Sequence, residues 1–285
     1  RSWHVPSTSS SSSSTLECSP ISCFYGHSAS VTGIASTKRL VASCSADGAL
    51  RIWKMTEPGY DTGRPPITLR AQSMSHKAPS SEALLCMNFN LHSLNAIENT
   101  DDSAQSTQHI VTGDVCGVVR SWDLSRGVCV QQFREHRGPV LDVKANLHLV
   151  VSCGEDGRVL LWDARTGCCE RSLHGHEDGV SGIGWNSKNM YSVSMDGSLR
   201  VWDVGSGSEV QRMQFGAEVN AMSVGRWIVV GVGDGSVHVL RGIKDGVEPE
   251  NVMLGHEDAV VAVDQLSDVF VSASRDQRVK LWRQL

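Results

Sequence analysis

Three groups of residues in this sequence have the composition of a reactive site. His176, Ser192 and Asp196 together supply the base, hydroxyl and acid of a serine hydrolase, with Trp202 close behind. In such an enzyme the imidazole takes the hydroxyl proton and the carboxylate orients the imidazole, and it is recognised by geometry and roles rather than by sequence position. Gly231-Val232-Gly233-Asp234-Gly235 is rich enough in glycine to bring backbone N–H groups close to a phosphate. Cys168 and Cys169 place two thiols side by side, among nine cysteines in the chain.

Repetition decides the first case. The same set recurs at His27, Ser43, Asp47 and Trp53, at His136, Ser152, Asp156 and Trp162, and at His256, Ser272, Asp276 and Trp282. In all four sets the histidine stands twenty positions before the aspartate, and the aspartate six before the tryptophan. An active site is needed once, whereas a network that holds a fold is needed in every unit. The glycine run lacks the following helix and the Lys-Ser/Thr of a phosphate loop, and it falls on a hairpin turn. No Cys-x-x-Cys pair occurs, which argues against zinc, and Cys44 and Cys153 at equivalent strand positions read as small core residues. We therefore expect no catalytic residue, no metal and no cofactor.

The repeats lie ~40 residues apart, with one longer interval, which is the signature of a β-propeller. Val180–Trp185, Met190–Ser194 and Ser198–Trp202 read as short strands, and Cys169–Leu173 as an outermost one. Asp196-Gly197 is the hairpin turn, its glycine supplying the positive φ. Two units depart from the pattern. One keeps Thr112 and Trp122 but has Cys116 in place of the turn aspartate; the other keeps Asp234 but has Val230 and Leu240. Neither has the histidine, so both are expected to rely on apolar packing.

The Gly-His pairs (Gly26-His27, Gly175-His176, Gly255-His256), the Ser-x-x-x-Asp elements and the Trp-Asp pairs resemble WD repeats over residues 16–285. The resemblance implies an all-β WD-repeat propeller with six recognisable repeats. It also implies that each set of four forms a structural tetrad: Asp to His, His to Ser, Ser to the indole N–H. Arg1–Val5 is similar to Arg120–Leu124, so residues 1–15 read as the remnant of a seventh repeat followed by a serine-rich linker, Ser7–Thr15. Polar insertions fall near 71–81 and 91–108. The loops bearing Gly-His and Asp-Gly define a top face, where the first insertion belongs; the second belongs to the bottom.

Net charge is −5, which disfavours nucleic acid as the main partner. No apolar run approaches the ~20 residues of a membrane span, and no basic stretch followed by an apolar run opens the sequence. Scattered cysteines and the lack of an Asn-x-Ser/Thr sequon fit an intracellular setting, cytoplasmic or nuclear. The expected function is a non-catalytic protein-interaction scaffold or adaptor, with peptide segments of partners on the top face and no small-molecule substrate. The compact repeats are similar to the substrate-receptor propellers of F-box ubiquitin ligases, so a receptor role with the F-box or RING region upstream is one alternative; ribosome or RNA assembly is another. The candidate partner-binding residues are Thr32, Leu141, Ser181, Met195, Asn220, Val261 and Arg275. Only Arg275 among them suits an anion, which makes phosphopeptide reading doubtful.

Overall fold

The computed structural model describes residues 2–3, 20–37, 40–56, 59–60, 66–70, 83–89, 109–146, 148–186, 189–243, 246–266 and 269–283. The serine-rich stretch 7–15 and both insertions, 71–81 and 91–108, lie outside the described residues.

Every described element is a strand. β1 (Ser2–Trp3) pairs with β2 (Pro20–Ser22). Blade one holds β3 (Val31–Ser36), β4 (Leu40–Ser45), β5 (Ala49–Thr56), β6 (Gly59–Tyr60) and β7 (Ile67–Arg70), the last two both pairing with β5. Blade two holds β8 (Leu84–Phe89), β9 (His109–Asp114), β10 (Val118–Asp123) and β11 (Val128–Arg134). Blade three holds β12 (Val140–Ala145), β13 (Leu149–Gly154), β14 (Val159–Asp163) and β15 (Cys169–Leu173). Blade four holds β16 (Val180–Trp185), β17 (Asn189–Ser194), β18 (Ser198–Asp203) and β19 (Glu209–Gln214). Blade five holds β20 (Val219–Val224), β21 (Ile228–Val232), β22 (Val237–Ile243) and β23 (Gly246–Met253). Blade six holds β24 (Val260–Leu266), β25 (Val269–Ser274) and β26 (Val279–Arg283). The six blades form a β-propeller.

Blades and sequence repeats are out of phase by one strand. β15, which precedes His176, is the outer strand of blade three, not of the blade that His176 opens. Each repeat therefore spans two blades and couples them covalently. Strands alternate their side chains between two faces, so each blade has a forward and a rear apolar face. Val151, Cys153, Val159 and Leu161 of blade three pack forward on Val180, Ile183, Met190 and Trp202 of blade four. Four more clusters of this kind join blades one to two, two to three, four to five and five to six.

The hairpin turns carry glycine with φ near +75° at Gly48, Gly117, Gly157, Gly197 and, at +87°, Gly235. In blade six Gln277 takes that place at φ 66°, the one non-glycine with positive φ among the described residues.

Candidate functional site

The hairpin turn of each full blade points its aspartate at the histidine that leads into the innermost strand. In blade four His176 Nδ1 lies 3.0 Å from Asp196 Oδ2, and His176 Nε2 lies 2.8 Å from Ser192 Oγ. Trp202 Nε1 donates to the same Oγ at 2.8 Å. Blade three repeats this with His136–Asp156 at 3.0 Å, His136–Ser152 at 2.9 Å and Trp162–Ser152 at 2.9 Å. Blade six has His256–Asp276 at 2.8 Å, with His256–Ser272 and Trp282–Ser272 both at 2.7 Å. In blade one His27 reaches Asp47 at 3.0 Å and Ser43 at 2.7 Å. There the Trp53 ring packs on Phe24, centroids 5.1 Å apart, and no indole hydrogen bond is seen among the described residues.

The direction of these bonds follows from the inventory of donors. A carboxylate only accepts, so Nδ1–H donates to it; Nε2 is then the acceptor for the serine O–H, and the serine oxygen accepts from the indole. This is the wiring of a hydrolase triad, with two differences that matter. Ser43, Ser152, Ser192 and Ser272 are buried, and in three blades an indole N–H occupies the oxygen that would attack.

The charges agree with this wiring. Burial alone pushes the Asp47 carboxyl up, but N–H donors from Ser28, His27 and Ala49 together outweigh it and hold it at about 2. Asp156, Asp196 and Asp276 are likewise held below the usual carboxylate range, burial being outweighed by backbone and side-chain donors. Burial lowers His136 and His176, against the pull of their aspartates, and favours the neutral ring.

A fifth partner accompanies the tetrad and was not singled out from the sequence. The residue two before the closing tryptophan is Arg51, Arg200 or Lys280 in the three blades where glycine precedes the histidine. Arg200 Nη2 donates to Gly175 O at 2.6 Å and pairs with Glu209; Lys280 Nζ donates to Gly255 O. A Cβ on Gly26 would lie 2.7 Å from Arg51 Nη1, and one on Gly175 2.6 Å from Arg200 Nη1. Both glycines also have positive φ, 139° and 155°. Blade three has Glu135 before its histidine and Leu160 in place of the cation. Glycine before the histidine and a cation two residues before the tryptophan thus occur together in these three blades.

The two departing blades do not rely on apolar packing alone, contrary to the expectation above. In blade two Asp114 forms a buried ion pair with Arg120 and accepts the N–H groups of Cys116 and Val118, both at 2.9 Å. Trp122 Nε1 still donates to Thr112 Oγ1 at 2.9 Å. In blade five Ser236 bridges Asp234 and His238, and the His238 ring meets Phe215 edge-on, centroids 4.9 Å apart. An aspartate two residues early and a histidine on the third strand escape any search for a fixed spacing.

The candidate partner-binding residues share a backbone feature. Thr32, Leu141, Ser181, Asn220 and Val261 are each the residue skipped by the ladder of the innermost strand. Such a bulge leaves one residue unpaired and re-aims its side chain. Leu85 is the sixth of this series and was missed, because blade two lacks the histidine that sets the count. Two of the six are engaged within the ring: Thr32 Oγ1 donates to Leu84 O at 2.6 Å and Ser181 Oγ to Val219 O at 2.5 Å, each stitching one blade to the next. Met195, Val261 and Arg275 are exposed. Asn220 Nδ2 is buried and finds no acceptor among the described residues. A cavity of about 470 Å³ opens at the opposite ends of the inner strands, lined by Asn88, Lys144, Asn146, Trp185, Ser223 and Asp264 among others.

The profile of the WD domain, G-beta repeat family matches residues 18–54, 127–163, 167–203 and 247–283, together just over half of the chain. The chain belongs to the WD-repeat family. Among curated proteins it is similar to a CCR4-associated factor 4 homolog of Candida glabrata, 28% identical over 124 residues, covering 44% of this chain and 20% of that protein. It is also similar to the ribosome biogenesis protein YTM1 of Saccharomyces cerevisiae, 36% identical over 95 residues, covering 29% of this chain and 20% of that protein. The matched stretch is thus a fifth of the length of each relative. Among solved structures, the computationally designed Ika8 protein matches 91% of this chain and 72% of its own with a TM-score of 0.68 at 21% identity, a likeness of fold. No described helix is long and apolar enough to cross a membrane.

Proposed function

We propose that this chain is a non-catalytic scaffold that presents the top mouth of its propeller to peptide segments of partner proteins. The observation that supports it is the ring of bulge residues at that mouth, where the buried Asn220 amide lacks an acceptor beside the exposed Met195, Val261 and Arg275 positions. An unmet donor in such a place favours a ligand carbonyl, and exposed apolar and arginine side chains are the anchors that carry interface energy. The partner segment carries an apolar anchor and one acidic residue facing Arg275. The setting is intracellular. The tetrads hold the blades and take no part in chemistry.

A second reading, ribosome assembly, is favoured by the name of the yeast relative. A bottom-face site is favoured by the cavity beside Asn88, next to the strand from which the 91–108 insertion departs. One experiment separates these readings: quantitative affinity purification with Arg275→Glu plus Leu141→Asp, beside a deletion of 91–108. The top-face double variant is expected to lose its partners while the deletion keeps them. Recovery of every partner at wild-type level by the double variant overturns the top-face assignment. Loss only with the deletion assigns the bottom, and co-sedimentation with ribosomal particles supports the second reading.

A further inference from the structure

The innermost strands share one register, counted from their bulges, and one level of that register is polar. Three residues past the bulge, β3, β8, β12, β16, β20 and β24 carry Ala35, Asn88, Lys144, Gly184, Ser223 and Asp264. The level before it is apolar in every blade: Ile34, Met87, Val143, Ile183, Met222 and Val263. Asn88, Lys144, Gly184, Ser223 and Asp264 all line the cavity of about 470 Å³, together with Ile183, Met222 and Val263. Blade packing does not call for an ion at this level, because four of the six blades have none there. The cavity nevertheless holds a cation from blade three and an anion from blade six.

Each of these two charges is fixed by a neighbouring blade. Lys144 Nζ lies 3.5 Å from Asp142 Oδ1, and Asp142 Oδ2 accepts the Ile183 N–H of blade four at 3.1 Å. The Asp142 carboxylate outweighs burial and raises the Lys144 pKa, so the ammonium stays charged. The Lys144 side chain is still 35% exposed. Across the cavity, Ser223 Oγ of blade five donates to Asp264 Oδ1 at 3.3 Å. The next residue, Gln265, donates its Nε2 to Ser223 O at 3.0 Å and to Trp227 O at 2.9 Å, tying that strand to blade five. No cation pairs with Asp264 among the described residues. Groups held in advance in this way lose little freedom when a ligand arrives.

A guest with a single charge would meet its like here as well as its opposite. A guest with a carboxylate at one end and an ammonium at the other meets two opposites. Blades four and five separate Lys144 from Asp264, so the two charges of the guest must stand apart. Between them the wall is apolar, formed by Ile183, Trp185, Met222 and Val263. The volume falls in the range of ~300–1,000 Å³ usual for ligand pockets. A round cavity of this size is roughly 10 Å across, about the length of three extended residues. We propose that this end of the channel binds a short peptide, two or three residues long, with both ends free. Its carboxylate lies on Lys144, its ammonium on Asp264 and its apolar side chains against Trp185 and Met222.

The probe is trileucine, beside its N-acetyl and C-amide forms. Calorimetric titration reads binding, and the NMR signal of the Trp185 indole, assigned with Trp185→Phe, reports its place. The free peptide is expected to bind saturably, to shift that signal and, at ~10 mM, to raise Tm by roughly 2 °C. Each blocked form is expected to bind about tenfold more weakly or worse. Lys144→Met is expected to abolish the preference for the free acid over the amide and to keep that for the free amine. Asp264→Asn is expected to do the converse. If Lys144→Met folds poorly because Asp142 is left unpaired, adding Asp142→Asn removes both charges and keeps an acceptor for the Ile183 N–H. No saturable binding by the folded chain overturns the proposal. So does an end preference that survives its own variant, or equal binding of the N-acetyl form, which assigns the site to a carboxylate alone. The top mouth enters none of these readouts, so this site and the top-face reading stand or fall separately.

Discussion

Trp202 and Leu240 occupy the same strand position in neighbouring blades and are equally buried, yet they hold the blade by different means. Trp202 fills core volume and also donates to Ser192, closing a chain of bonds that ends on Asp196. Trp202→Ala is expected to cost ~3–5 kcal/mol from cavity and lost bonding together. His176→Ala costs less, and Leu240→Ala loses apolar packing alone, at the lower end of ~2–5 kcal/mol. Urea melts check the order, and Leu240→Ala falling below Trp202→Ala refutes the argument. The spacing of the four His-Ser-Asp-Trp sets was readable because it is local and repeated. The glycine–cation pairing was present in the same strings, at Gly26 and Arg51 or Gly175 and Arg200, but its meaning needs the guanidinium lying over the glycine.

At the scale of the element, blade two shows how a strand–turn–strand unit survives without its histidine. Asp114 at the end of β9 collects the turn N–H groups and the Arg120 guanidinium, doing from the strand what the turn aspartate does elsewhere. Removing one member of a buried pair leaves the other charge uncompensated. Asp114→Ala is therefore expected to cost ~3–5 kcal/mol, and adding Arg120→Leu to recover part of it. A double-mutant melt in which the second change brings no recovery removes the ion pair from the account. The sequence shows the loss of the histidine and of the turn aspartate; it does not show a substitute that sits outside the repeated spacing.

Across the whole molecule the tetrads make stability depend on pH in a defined order. His136 and His176 are held below their ordinary pKa, so their contribution is complete above about 6.5 and is lost as pH falls below that value. The aspartates are held lower still, so theirs is complete above about 3.9 and is lost as pH falls towards the value near 2 of Asp47. Melting temperature is expected to be greatest near pH 7 and above, to decline first between pH 6.5 and 5, and to collapse below pH 4. A Tm that does not change from pH 7.5 to 5 contradicts the buried neutral histidines.

What the sequence determined by itself is the unit: strand, turn and tetrad recur at constant spacing, because each is built from hydrogen bonds and alternations reaching only a few tens of residues. Its resemblance to the WD family extended that unit to a ring. Only the tertiary structure decided that each repeat straddles two blades, that Thr32 and Ser181 are engaged in stitching them, and that Ile34 and Leu281 stand bare where their equivalents are buried. These are properties of the faces between blades. Which residue meets which across a blade face depends on how whole sheets twist and stack, and no spacing along one strand records that.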